Sequence, residues 1–297
     1  MFKNLLKENF ILLDGGFGTE LIKKGLLPEE DTAAAVFDHP QWVKEIHRSY
    51  IDAGSNIIFA DTFGANAIKL RNSKYSVEES VFKAIALAKE ASEGTNALVA
   101  LDVSTTGMLL EPAGDLTFEK AYEVYKEVAI IGEKAGADLI CLETFTDLRE
   151  ARIALLAAKE NTNLPVTVTL SFDENGVTMN GSTASAVAVT LNALGVDAVG
   201  LNCSLGPDKL GKVVDELLKY SKAPVIVKPN AGLPDLKTGK YSMGAEEFAQ
   251  LTANFYEKGA IILGGCCGTS PEYIKALKEA LLKRNKGERK DIINDVI

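Results

Sequence analysis

Residues 135–145 of the chain, AGADLICLETF, place a glycine, a continuous apolar run and a polar pair in direct succession. Gly136 is typical of the position just past a helix, because glycine adopts the left-handed conformation there without steric cost. Leu139–Leu142 is apolar throughout rather than alternating, which indicates a strand buried on both faces, as in a parallel sheet. Glu143 and Thr144 follow, which predicts polar residues at the carboxyl end of this strand.

The same pattern of helix, glycine and strand recurs along the chain, which indicates a repeated structural unit. Gly54, Gly195 and Gly259 also stand between a predicted helix and a predicted strand. The eight predicted strands are Phe10–Leu13, Asn56–Ala60, Leu98–Val103, Leu139–Leu142, Val166–Leu170, Ala198–Leu201, Val225–Val227 and Ile261–Leu263. The helices predicted from apolar spacing are Pro40–Ala53, Ser76–Glu93, Thr117–Ala135, Asp147–Asn161, Ser182–Leu194, Pro207–Tyr220, Gly244–Lys258 and Pro271–Arg284.

This alternation of strands and helices decides the fold class. Eight β–α units without an internal linker predict an α/β protein, a single (β/α)8 TIM barrel. An open doubly wound sheet is the alternative, and the number of units disfavours it. We expect one barrel domain over residues 1–297, with a charged, solvated tail from about residue 283.

Composition narrows the class of protein further. The 297 residues are 46% hydrophobic and 25% charged, which is ordinary for a globular domain. The net charge of −9 and the scattered basic residues argue against nucleic-acid binding. No apolar run reaches the roughly 18 residues that span a bilayer, and no secretory signal is visible, so we expect a cytoplasmic protein. Structural disulfides are not expected in that compartment.

The carboxyl ends of the strands form the active-site face of such barrels, so the residues that follow each strand are the candidates. Three of the four cysteines, Cys203, Cys266 and Cys267, fall at these ends. Three thiolates around a tetrahedral zinc ion leave one position open, which is typical of a catalytic site. A free cysteine is often only a small buried hydrophobe, and we keep that interpretation for Cys141, inside a predicted strand. Adjacent cysteines suit a disulfide poorly.

Five motifs at these strand ends carry a resemblance to a known family. They are Asp14–Glu20 (DGGFGTE), Glu143–Phe145 (ETF), Asn202–Ser204 (NCS), Pro229–Gly232 (PNAG) and Gly264–Gly268 (GGCCG). In order and spacing they resemble the homocysteine S-methyltransferase family over about residues 10–280. The resemblance implies a (β/α)8 barrel in which Cys203, Cys266 and Cys267 hold one Zn²⁺ per chain and act in catalysis. Homocysteine then enters through its sulfur at the open position and is converted to methionine.

The resemblance also suggests where the amino-acid end of homocysteine binds. Backbone N–H groups of the glycine-rich turn, which opens a helix, suit a carboxylate, although a tight loop without a ligand is the alternative. Carboxylates at strand ends suit the ammonium group, although Glu143 could instead be a surface carboxylate. The predicted substrate-binding residues are Asp14, Gly15, Gly16, Phe17, Glu143 and Asn230.

The methyl donor is less well specified. The betaine-using branch carries aromatic residues around its donor, whereas this chain has Gly64 and Thr144 at those strand ends, and Trp42 is assigned to packing. The motifs are closest to the homocysteine-binding module of cobalamin-dependent methionine synthase. We therefore expect the methyl group to come from methylcobalamin on a separate corrinoid protein, or the chain to be a fragment of a larger enzyme. S-methylmethionine and betaine stay as alternative donors.

Two other classes of protein fit part of the pattern. Lys228, at the end of the seventh predicted strand, could form a Schiff base as in barrel aldolases, or be a charge-positioning or solvent-facing lysine. A non-catalytic zinc-binding or corrinoid-docking protein is the second alternative. His39 and His47 are not assigned to a metal, and Tyr241 is expected on a loop over the barrel mouth without an assigned role.

Overall fold

The computed structural model describes residues 1–27, 32–235, 239 and 241–285 of the chain. The strands are β1 Ile11–Leu12, β2 Ile57–Phe59, β3 Leu98–Val103, β4 Leu139–Phe145, β5 Val166–Leu170, β6 Ala198–Asn202, β7 Val225–Lys228 and β8 Ile262–Leu263. They form one sheet in the order β1-β8-β7-β6-β5-β4-β3-β2, and neighbouring strands are parallel.

The sheet closes on itself where the first two strands meet. Leu13 pairs with Ile57 in a parallel bridge. Asn56 strengthens this join, because its backbone N–H donates to the Leu12 carbonyl at 2.7 Å and its Oδ1 accepts from the Leu12 N–H at 2.8 Å. The predicted (β/α)8 barrel is confirmed.

Helices surround the barrel. They are α1 Phe2–Leu5, α2 Phe17–Lys24, α3 Ala35–Asp38, α4 Pro40–Ala53, α5 Val77–Ser92, α6 Phe118–Ala135, α7 Leu148–Asn161, α8 Ala184–Ala193, α9 Gly211–Tyr220, α10 Ala245–Lys258 and α11 Pro271–Arg284. Helices α4 to α10 connect successive strands, and α11 follows the last. The predicted glycine ends are confirmed, because Gly54, Gly136, Gly195 and Gly259 have φ angles of 113°, 92°, 73° and 116°.

Some predicted boundaries were wrong for local reasons. Helix α9 begins at Gly211 rather than Pro207, because the Lys209 N–H bonds to the Gly206 carbonyl in a separate turn. Strand β4 continues to Phe145 instead of ending at Leu142, with a shift in its register against β5 between these two residues. Glu143 therefore belongs to the strand and does not follow it.

The barrel interior is filled from its amino end. Phe2 of α1 is 1% exposed and packs with residues from the beginnings of several strands, including Ile11, Leu98, Leu139 and Ile262. Helix α1, which the sequence pattern did not predict, therefore covers this end of the barrel. The carboxyl end stays accessible, and the polar residues of the candidate site lie there.

Two remaining observations concern the limits of the described chain. None of the helices within the described ranges is long and apolar enough to cross a membrane. The charged tail was predicted from about residue 283, and the part of it after Asn285 lies outside the described residues.

Candidate active site

Three cysteines from two separate strand ends meet at the barrel mouth. Cys203 follows β6, and Cys266 and Cys267 follow β8. Their sulfur atoms lie within 4.8 Å of one another, and the Sγ atoms of Cys203 and Cys267 are 3.9 Å apart. Cys266 is buried and the other two are half-buried. Two backbone hydrogen bonds hold the cluster in place. The Cys203 N–H donates to the carbonyl of Lys228, the last residue of β7, and the Cys266 N–H donates to the carbonyl of Pro229, the next residue.

Glycine makes the tight β8 loop possible at two positions. A side chain at Gly265 would collide with Thr269, and one at Gly268 would collide with the ring of Tyr241. Gly268 also has a φ of 81°, which favours glycine in its own right. Tyr241 therefore lies against the cysteine loop, in agreement with the expected loop over the mouth.

The thiols of this cluster hold their protons tightly. The contact with Cys266 lowers the pKa of Cys203, whereas the contact with Cys267 and burial raise it. Together these effects raise the pKa of Cys203 to about 11. The contact with Cys203 lowers the pKa of Cys267, yet the contact with Cys266 and burial bring it to about 12. These raised pKa values favour neutral thiols, and a cation bound between the sulfurs would stabilise their thiolates.

A buried group of charges lies beside the cysteines. The Lys228 ammonium is 2.9 Å from Glu143 Oε2 and 3.7 Å from Asp14 Oδ1, and it lies 3.9 Å from the centroid of the Phe59 ring. Lys228 is 4% exposed, Glu143 6% and Asp14 1%. Burial disfavours the charged lysine, but the carboxylates of Glu143 and Asp14 outweigh it and raise the pKa of Lys228 well above its ordinary value.

This geometry decides between the alternatives that the sequence left open for Glu143 and Lys228. Glu143 is not a surface carboxylate, because β4 carries it into the barrel, where it pairs with Lys228. Lys228 is not solvent-facing, and its raised pKa keeps it protonated. A Schiff-base nucleophile requires a neutral amine with a lowered pKa, so this environment disfavours the aldolase alternative.

Burial raises the pKa of the two aspartates near this pair, Asp14 and Asp102. Burial raises the pKa of Asp14 to about 7. The charge of Lys228 and the Phe59 N–H, which donates to Asp14 Oδ2 at 2.7 Å, act in the opposite direction. Asp14 Oδ1 has no hydrogen-bond partner among the described residues. Burial, followed by the charge of Glu143, raises the pKa of Asp102 well above the aspartate value. A ligand cation beside these groups would stabilise their charged forms.

The glycine-rich turn offers fewer donors than predicted. The Gly16 N–H already bonds to Thr269 Oγ1 at 3.1 Å and lies 3.3 Å from the Thr269 carbonyl. Gly15 packs so closely that a side chain there would meet Thr269 and Tyr50. The first turn of α2 begins at Phe17, and an α-helix leaves the N–H groups of its first turn without internal acceptors. Anion donors are therefore available in this first turn, which includes Gly18.

Most of the predicted site residues share one cleft of about 210 Å³. Its walls include Asp14, Gly15, Gly16, Phe17, Glu143, Cys203, Cys266 and Cys267. Asn230 is buried just behind, where the next residue, Ala231, donates its N–H to the Cys267 carbonyl at 3.0 Å. Asn230 Oδ1 has no hydrogen-bond partner among the described residues, and Asn230 is not among the residues that line the cleft.

Other residues were excluded from the site or missed by the sequence analysis. Cys141 lies in the barrel interior, where Thr167 Oγ1 donates to its sulfur at 3.2 Å, so the packing interpretation is confirmed. His47 is buried under the Phe17 ring, and His39 stacks on Trp42. Asp102 also lines the cleft and was missed, although a lone carboxylate in the apolar run Leu98–Val103 was a usable signal.

The fold and the site together define a (β/α)8 barrel with a thiol cluster and buried carboxylates at its mouth. Within residues 11–281 the chain matches the family model described as homocysteine S-methyltransferase. The chain belongs to the homocysteine S-methyltransferase family.

Individual relatives agree with this membership. The chain is 29% identical to methionine synthase of Mycobacterium leprae (strain TN), over 95% of this chain and 25% of that protein. It is 28% identical to methionine synthase of Mycobacterium tuberculosis (strain ATCC 25618 / H37Rv), over 96% of this chain and 26% of that protein. The chain thus spans about a quarter of the length of these relatives.

A solved structure shares the fold. The metallated form of the homocysteine methyltransferase MmuM from Escherichia coli has a TM-score of 0.79 and 22% identity, covering 93% of this chain and 98% of that chain. Its oxidized form has the same TM-score at 21% identity.

Proposed function

We propose that this barrel is a zinc-dependent enzyme that transfers a methyl group to the sulfur of homocysteine and so forms methionine. The observation that carries the proposal is the cluster of Cys203, Cys266 and Cys267, whose sulfurs lie within 4.8 Å of one another in the same cleft as the buried carboxylates. Family membership supports the same reaction. In this reaction the homocysteine sulfur forms a bond to the methyl carbon and loses its proton. The bond between the methyl carbon and the donor breaks, and its electron pair stays on the donor.

The residues present fit a zinc ion. Three sulfur donors in mutual reach match the ligands that Zn²⁺ prefers. The raised pKa values of Cys203 and Cys267 support this assignment, because a bound cation would stabilise their thiolates. We propose Cys203, Cys266 and Cys267 as its ligands. When bound, zinc lowers the pKa of a thiol that approaches its open position, so that the sulfur is nucleophilic at neutral pH.

The chain's own residues would bind and orient the amino acid. Asp14 and Glu143 offer carboxylate oxygens to its ammonium group, and the first turn of α2, beginning at Phe17, offers N–H groups to its carboxylate. The orphaned oxygen of Asn230 is a further acceptor. Fixing the amino-acid end of homocysteine directs its sulfur toward the cysteines. This positioning increases the rate, because the entropy of aligning the reactants is lost on binding and not in the reaction step.

For the methyl donor we propose a methylcorrinoid carried by a separate protein or module. The similarity to methionine synthases, of which the chain matches only about a quarter, supports this choice. The aromatic rings of the cleft also disfavour betaine. A lysine ammonium lies 3.9 Å from the centroid of Phe59 and another 5.0 Å from that of Phe63, and His47 packs against Phe17. Each of these rings already has a partner on one face, which disfavours an aromatic cage.

We also place the enzyme in the cytoplasm. All four cysteines are free, and a reducing compartment keeps such thiols available for a metal.

Metal analysis tests the site. Purified protein should contain about one zinc per chain. The variants Cys203→Ser, Cys266→Ser and Cys267→Ser should each lose most of it, whereas Cys141→Ala, which removes a thiol from the barrel interior, should retain it. Full zinc retention in all three cluster variants would contradict the assignment.

A panel of donors tests the reaction. With homocysteine, we expect turnover with methylcobalamin and with a methylated corrinoid protein. Turnover with S-methylmethionine or betaine alone would contradict the proposed donor but keep the acceptor. Absence of turnover with every donor would favour a non-catalytic docking protein, and borohydride trapping of a carbonyl compound on Lys228 would favour an aldolase.

A further inference from the structure

The side-chain amide of Asn202 connects the two halves of the candidate site. Asn202 ends β6 and is fully buried. Its Oδ1 accepts from the Thr144 N–H and from Thr169 Oγ1, both at 2.8 Å. Its Nδ2 lies 2.7 Å from Thr144 Oγ1, to which it donates, and 3.8 Å from the sulfur of Cys266. All four hydrogen-bonding positions of the amide are thus used.

The orientation of this amide follows from its partners. The backbone N–H of Thr144 can only donate, so the amide atom that faces it must be the oxygen. The nitrogen must then point toward Thr144 Oγ1 and Cys266 Sγ. The hydrogen-bonding network therefore aims an N–H group at a sulfur of the thiol cluster, and this direction cannot reverse without loss of the bond to the backbone.

The backbone around Asn202 is held in an unusual conformation. Thr144, Cys203 and Ser204 have φ angles of 61°, 62° and 56°, and they are the non-glycine residues with positive φ among the described residues. Thr144 lies where the register between β4 and β5 shifts, next to Glu143. Such a conformation is rare for a β-branched residue and persists only where its surroundings hold it. The two hydrogen bonds between the Asn202 amide and Thr144 hold Thr144 in this conformation.

We propose that Asn202 is a positioning residue that fixes Cys266 and the Glu143–Thr144 turn relative to each other. Its N–H group orients the Cys266 sulfur, and its bonds to Thr144 hold the turn that carries Glu143 into the cleft. This inference rests on the proposed function, because it assigns Cys266 to a metal. Groups behind metal ligands commonly set metal affinity in this way.

The variant Asn202→Asp separates these roles from general packing. Its shape is retained, and one carboxylate oxygen can still accept from Thr144 and Thr169, but the other places negative charge where the N–H faces Cys266. Thr169→Val is the matched control, because it removes a bond to Oδ1 and leaves the contact with sulfur intact. The measurements are Zn²⁺ affinity by chelator competition, the sulfur-to-cobalt absorption of Co²⁺-loaded protein, and thermal unfolding of the metal-free protein.

We expect Asn202→Asp to bind Zn²⁺ about 10- to 100-fold more weakly and to shift the cobalt absorption, with Thr169→Val close to wild type. If both variants bind Zn²⁺ as tightly as wild type, the inference is overturned while the proposed function stands. A wild-type protein that binds no metal overturns the proposed function itself. Should Asn202→Asp not fold, Thr144→Ala replaces it, since it removes the anchor of Nδ2. Equal affinities of Thr144→Ala and Thr169→Val would then overturn the inference.

Discussion

At the scale of single residues, Lys228 balances the charges of the cleft. Its removal by Lys228→Met would leave Glu143 and Asp14 buried without a cation. Loss of one partner of a buried pair commonly costs about 3–5 kcal/mol, so we expect a loss of about 3 kcal/mol in the free energy of unfolding. Denaturant unfolding of the metal-free protein measures it.

A double variant supplies the control for Lys228. In Lys228→Met with Glu143→Gln, the uncompensated charge of Glu143 is gone, so this protein should be more stable than Lys228→Met alone. Equal stability of the wild type and Lys228→Met would show that the pair makes no net contribution.

His47 is a second residue whose environment predicts a measurable effect. It is fully buried in α4, neither ring nitrogen has a hydrogen-bond partner among the described residues, and burial lowers its pKa to about 3. The unfolded chain takes up this proton first as the pH falls below about 6.5, because the folded pKa is lower. The stability that the neutral ring contributes is therefore present above pH 6.5 and is lost as the pH falls toward 3.

The variant His47→Leu removes this titration. Between pH 6.5 and pH 4, the stability of His47→Leu relative to wild type should rise by about 1.4 kcal/mol per pH unit lowered. Asp14, whose pKa is raised to about 7, adds an opposite slope in this range, but it is present in both proteins and cancels in the difference. Parallel stability curves for the two proteins would contradict the neutral, buried state of His47.

At the scale of elements, two helix starts look alike in sequence and differ in structure. Ser76 forms a capping box at the start of α5, with its hydroxyl accepting from the Glu79 N–H and the Glu79 side chain accepting from the Ser76 N–H. Ser270 precedes α11 in the same way, followed by Pro271, but its side chain makes no capping bond. The sequence does not distinguish these two serines, because the capping bond depends on the side-chain orientation.

This difference predicts unequal costs for one substitution. Ser76→Ala should lower the free energy of unfolding by about 1 kcal/mol, the usual value for a lost N-cap. Ser270→Ala, the matched control, should cost clearly less. Thermal unfolding of both variants measures the difference, and an equal loss of stability would contradict the capping argument.

At the scale of the whole molecule, Phe2 links the chain's first helix to the barrel interior. Phe2→Ala would leave a cavity among the residues at the amino ends of the strands. We expect a loss of about 3 kcal/mol, in the usual range for a buried phenylalanine. Phe82→Ala is the control, because Phe82 is 40% exposed on α5 and should cost much less. If both variants unfold at the same denaturant concentration, α1 does not contribute to the stability of the barrel.

Local chemistry in the sequence determined much of this molecule. Continuous apolar runs, helix-ending glycines such as Gly136 and their eightfold recurrence predicted the barrel, because each depends on neighbours within one unit. The strand-end rule then placed Cys203, Cys266 and Cys267 at one mouth, and the structure brings their sulfurs together.

What the sequence could not determine depends on contacts between distant strands. The burial of Glu143 depends on a register shift in β4, and its pairing with Lys228 joins residues from separate strands. The bond from the Gly16 N–H to Thr269 and the network of Asn202 likewise join residues that are far apart in the sequence. Only the tertiary structure decides such contacts, because the closing of the barrel, and no local propensity, sets the distances between these residues.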